Sequence, residues 1–104
     1  MTITEFLEAR IAEDEIEARV CLASPEHTTR RWVRMLAECK AKRVILKEHE
    51  LDLHMSESYC DTCAEWWKCE LGEGPPPVKY PCPTVRALAA VYKDHPDYRQ
   101  EWAL

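Results

Sequence analysis

A C-x2-C pair at Cys60 and Cys63, answered by Cys82 further along, is the feature that most limits how this chain can close on itself. The spacing lets a tight turn aim two thiolates at one ion, and Cys82 stands far enough downstream to return as a third ligand. Cys69, His54 and His49 compete for the fourth position, because a tetrahedral zinc ion accepts four sulfurs or three sulfurs and one imidazole nitrogen. The plainer readings are buried free thiols, since cysteine packs as a small hydrophobe, or a disulfide. A thioredoxin-like redox motif wants a β-α-β context that this sequence does not offer. Zinc is the favoured reading.

A metal staple suits the size of the chain. At 104 residues it reads as a single domain, 1–104, with room for a modest core. Two glycines and seven prolines against 46% hydrophobic residues favour an ordered helical protein over a disordered tail. Lys and Arg total 14 against 19 Asp and Glu, and the net charge of -5 argues against a general grip on nucleic-acid phosphates as the main task. No apolar run approaches the roughly 20 residues of a membrane span, and the N-terminus lacks the charged-then-apolar pattern of a signal peptide. Six cysteines without an export signal point to reduced thiols and a cytoplasmic location.

The fold class read from the pattern is mainly α. A helical hairpin over 2–53 is followed by a zinc-stapled, metal-binding loop over 54–82 and two short C-terminal helices over 83–102. Thr2 and Glu5 have the spacing of a capping box, and Ile3, Leu7, Ile11, Ile16 and Val20, with Phe6 beside them, are expected to form the core face of the first helix. Its acidic run, Glu13, Asp14, Glu15 and Glu17, reads as a solvated face, and Cys21 as a packed residue. Ser24 and Pro25 mark a helix start, with Thr28 or Thr29 as later caps.

The second helix is expected over 29–53, with a seam at Trp32, Cys39, Leu46 and Leu53 and Leu36 beside it. Such a stripe must be buried, against the first helix or against a second copy, so a monomer and a homodimer through this helix are both open. Arg30, Arg31, Arg34, Lys40, Lys42, Arg43 and Lys47 make it the basic element of an acidic chain. They read as a solvated face paired with the acidic first helix; the sharper reading, a nucleic-acid footprint, lacks aromatic interleaving.

Trp66 and Trp67 read as a lid over the thiolates, with a partner-binding hot spot as the alternative, and 72–77 as an extended proline-rich connector. Cys82 stands just before a helix opened by Pro83, where unpaired N–H groups stabilise a thiolate. Val85, Leu88, Ala89 and Tyr92 supply the apolar face of that helix. Asp94 to Asp97 are expected to cap a last short helix ending near Trp102, with Tyr98 and Trp102 packed on the core and His95 structural.

The segments TITEFLEARIAEDE, AECKAKRVILKEH and CPTVRALAAVYKDHPDYRQEW resemble a family of small uncharacterised proteins from actinobacteria and their bacteriophages. The resemblance covers most of the chain and carries no activity. It implies a histidine closing the AKR-x5-H segment, then C-x2-C and CPT, and so a ligand set of His49, Cys60, Cys63 and Cys82. Extra Cys69 and His54, and the WWKCELGEGPPPVKY insert, depart from that pattern and leave an all-cysteine site with Cys69 as the runner-up.

The function expected is that of a small structural-zinc protein acting through protein-protein interaction. A host protein is the natural partner if the chain is phage-encoded. The alternatives are a nucleic-acid-binding regulator using the basic second helix and a zinc enzyme. An enzyme would need an open coordination position with a general base. Glu65 and Glu70 are the glutamates closest to the thiols, and neither stands in an H-x-E or HExxH arrangement, so no catalytic residue is assigned.

Overall fold

The computed structural model describes residues 1–24, 29–54, 57–60 and 79–104, of which 52–54 and 57–59 are described by their backbone. Over these residues the protein is mainly helical. Helices α1 (Ile3–Leu22) and α2 (Thr29–Glu48) lead into a ribbon of β1 (Leu51–His54) and β2 (Glu57–Cys60). Helix α3 (Pro83–Ala90) and one 3-10 turn (Gln100–Trp102) complete the described chain.

Thr2 starts α1 through a reciprocal cap. The Glu5 N–H donates to Thr2 Oγ1 at 3.1 Å, and the Thr2 N–H donates to the Glu5 carboxylate at 3.1 Å. These bonds satisfy two donors that a helix start otherwise leaves open. The bond from the Thr2 backbone, foremost, holds the Glu5 carboxyl below its ordinary range.

The buried face of α1 is Ile3, Phe6, Leu7, Arg10, Ile11 and Ala18. Ile16 and Val20, expected in the core, are exposed. At about 100° per residue, the five-residue step from Ile11 to Ile16 turns the side chain roughly 140° away, whereas the seven-residue step to Ala18 returns to the same side.

Helix α2 packs along α1 as a hairpin. It buries Trp32, Cys39 and Leu46, the seam read from the seven-residue repeat. Arg43 clamps Glu15 with two bonds, from Nε at 3.0 Å and from a terminal nitrogen at 2.5 Å, so part of the basic face is spent on the acidic helix. The helix ends at Glu48 rather than near residue 53. The His49 N–H closes the last turn on the Ile45 carbonyl at 3.1 Å, and the chain then enters β1. Leu53 therefore stands in a strand, where Leu51, Asp52, Leu53 and His54 alternate apolar and polar. The antiparallel register, Leu51 opposite Cys60 through His54 opposite Glu57, returns Cys60 to the end of α2.

Helix α3 opens at Pro83 with Cys82 in the capping position, and buries Val85 and Ala89. The last helix expected from the sequence is reduced to successive turns and the 3-10 turn. Pro96 has no N–H to donate, and the Tyr98 N–H reaches the His95 carbonyl at 3.0 Å. Trp102 is nevertheless buried, its ring 5.1 Å from Phe6 and 5.6 Å from Tyr98.

One core holds Ile3, Phe6, Leu7, Leu46, Val85, Ala89 and Trp102 together with Cys60 and Cys82. It sits where α1 begins and α2 ends. Tyr92 ties it to the hairpin: its hydroxyl donates to Asp14 Oδ2 at 2.8 Å and accepts from Lys42 Nζ at 3.1 Å. Among the described residues, no helix is long and apolar enough to cross a membrane.

Candidate metal centre

Three separate elements deliver ligand atoms to one point. His49 follows the last turn of α2, Cys60 ends β2, and Cys82 immediately precedes α3. The ligand atoms of all three lie within 4.8 Å of one another, an arrangement that can hold a metal ion. His49 Nδ1 is 3.3 Å from Cys60 Sγ and 3.5 Å from Cys82 Sγ, so the same ring nitrogen faces both sulfurs. Both thiols are fully buried, while His49 is partly exposed at the rim.

Local structure explains each placement. Leu46 is buried one turn before His49 and fixes the face on which the imidazole emerges. The ribbon register puts Cys60 level with Leu51, two residues beyond His49. Pro83 commits the chain to a helix just after Cys82, which stands in the capping position without a side-chain cap bond, so its sulfur is left to face His49. The His49 ring stands at the carbonyl end of α2, whose dipole favours a cation.

Tyr80 packs against the core beside this group, and its hydroxyl shares a hydrogen bond with Thr4 Oγ1. Burial, the largest cause, raises the phenol above its ordinary range, and the Cys82 and Cys60 sulfurs push the same way. Neither spacing nor residue type marks Tyr80 as a neighbour of the site in the sequence. Its position two residues before Cys82 is the one available signal.

The other candidates are placed elsewhere. Cys63 and the runner-up Cys69 lie outside the described residues, as do Glu65, Trp66, Trp67 and Glu70. His54 ends β1 opposite Glu57, three residues and so about 10 Å along the strand from the Leu51–Cys60 pair. Cys39 is buried in the α2 seam, where burial, ahead of the nearby Asp14 charge, raises its thiol. Cys21 is partly buried near the end of α1. Among the described residues, the groups able to hold a metal come down to His49, Cys60 and Cys82.

No curated protein and no solved structure matches the chain. All of residues 1–104 match a family described only as one of unknown function, DUF6221, and the chain belongs to that family.

Proposed function

We propose that this is a structural-zinc protein of the cytoplasm that works by binding another protein, with the metal holding its binding-competent shape. The observation that carries the metal reading is the approach of one imidazole nitrogen to two buried sulfurs at 3.3 and 3.5 Å. Zinc bonds of about 2.3 Å to sulfur and 2.0–2.1 Å to nitrogen at a tetrahedral angle give a nitrogen–sulfur edge of about 3.6 Å, which these separations approach. Cys63, placed by its C-x2-C spacing to Cys60, is proposed to complete the shell.

A closed shell of this kind leaves no coordination position for a substrate, which favours a scaffold over a hydrolytic centre. The nucleic-acid reading is weakened by what the basic helix does within the fold, since Arg43 is clamped by Glu15 and Lys42 is spent on Tyr92. If the chain is phage-encoded, as the resemblance allows, a host protein is the natural partner. The test is metal analysis of the purified protein followed by chelation. One zinc per chain and a large fall in melting temperature on chelation are expected, and metal-free protein with unchanged melting would refute the reading.

A further inference from the structure

Both helices of the hairpin carry a second seam that points away from the core. On α1 it runs Ala9, which is partly buried, then Glu13, Ile16 and Val20, and on α2 it runs Val33, Ala37, Lys40 and Val44. Each has the four-three-four spacing that keeps residues on one helix face over about 16 Å. Ile16 and Val20 are 60% and 65% exposed, Val33 and Val44 are 53% and 55% exposed, and Ala37 and Lys40 are exposed between them. Ile16 and Val20 stand one turn apart on α1, and Val33 and Val44 bracket Ala37 and Lys40 on α2.

The two seams are complementary when laid antiparallel. Val20 meets Val33, Ile16 meets Ala37, Glu13 meets Lys40 and Ala9 meets Val44, all in a single register. Large residues face small ones at two of the four levels, which lets helices approach closely, and the one acidic position faces the one basic position. Glu13 accepts a hydrogen bond from Arg10 at 2.9 Å, yet its side chain stays 61% exposed. Lys40 has no ion-pair partner among the described residues. The hairpin cannot make these contacts within one chain, because α1 and α2 already meet through their other faces, at Glu15 and Arg43.

We infer that the chain self-associates, the outer seam of α1 in one copy packing antiparallel on the outer seam of α2 in a second copy, with Glu13 opposite Lys40. Neither seam includes a metal ligand, so self-association stands or falls separately from the metal. It is tested by sedimentation velocity on the full chain, together with the charge reversals Glu13→Lys and Lys40→Glu.

The unaltered protein is expected to gain mass with concentration. Each reversal alone should weaken association roughly tenfold or more, and an equimolar mixture of the two variants should restore it, because opposite charges then face each other again between unlike copies. Lys40→Glu is the cleaner single change, since Glu13→Lys also removes a partner of Arg10; unchanged melting of the Lys40→Glu variant separates lost association from lost folding. A chain that stays monomeric to concentrations on the order of 1 mM would overturn the inference. So would association that is indifferent to both reversals, or a mixture that fails to recover.

Discussion

His49 Nδ1 lies 3.5 Å from the sulfur of Cys82, across a sequence separation of 33 residues, so the end of α2 and the start of α3 meet at one point. Cys60 reaches the same point by way of a two-stranded ribbon, an element that is marginal on its own in water. A metal held there would join three segments that also meet in the core through Leu46, Cys60 and Val85.

Serine replacement separates ligands from packed thiols. Cys60→Ser, Cys63→Ser and Cys82→Ser are each expected to abolish metal retention, measured as metal per chain after gel filtration. Cys21→Ser and Cys39→Ser should keep it, although Cys39→Ser places a hydroxyl in the helix seam and lowers stability. Equal metal loss at all five positions would refute the assignment.

The fourth ligand is decided by comparing His49→Ala with Cys69→Ser. The first is expected to weaken metal binding about 10-fold or more, and the second to cost little. Cobalt substitution reads the same question independently, because the thiolate charge-transfer intensity grows with the number of sulfurs. An intensity matching four thiolates, reduced by Cys69→Ser, would leave His49 outside the shell.

Tyr92 should make stability fall at high pH. Burial, first, and the Asp14 carboxylate that accepts its hydrogen bond hold the phenol well above its ordinary value of about 10. The folded state therefore favours the neutral phenol. The contribution is full below about pH 10 and is lost as the pH rises toward the folded value. Tyr92→Phe is expected to cost about 1 kcal/mol near neutral pH, and the gap between the two proteins in denaturant melts should narrow above about pH 10. A gap that stays constant to high pH would contradict this.

Phe6 is the hub of the aromatic core, with the rings of Trp102, His95, Tyr98 and Tyr92 at 5.1, 5.7, 6.1 and 6.3 Å. Its side chain is fully buried. Phe6→Ala is expected to cost about 3–5 kcal/mol in equilibrium unfolding and to release the C-terminal turns from α1. A loss below about 1 kcal/mol would show that the cluster does not hold the C-terminal segment in place.

Local chemistry alone determined several features of this protein. The cap of α1 needs only Thr2 and Glu5 three residues apart, and the α2 seam at Trp32, Cys39 and Leu46 needs only a seven-residue repeat on a helix. The convergence of His49, Cys60 and Cys82 was legible as ligand types at workable spacings, with the choice of His49 implied by the resemblance. What the tertiary structure decided is which apolar residues become core and where helix gives way to strand. Ile16 and Val20 are as hydrophobic as Ile11, but α2 and the C-terminal turns cover only one side of α1, so Ala18 is buried instead. Residues 51–54 extend a helical pattern in isolation, yet become a strand because 57–60 pair with them. The ties of Arg10 to His95 and of Asp14 to Tyr92 join residues 85 and 78 apart. Such pairs exist only once the C-terminal segment has packed on the hairpin, because no local period connects residues so distant in the chain.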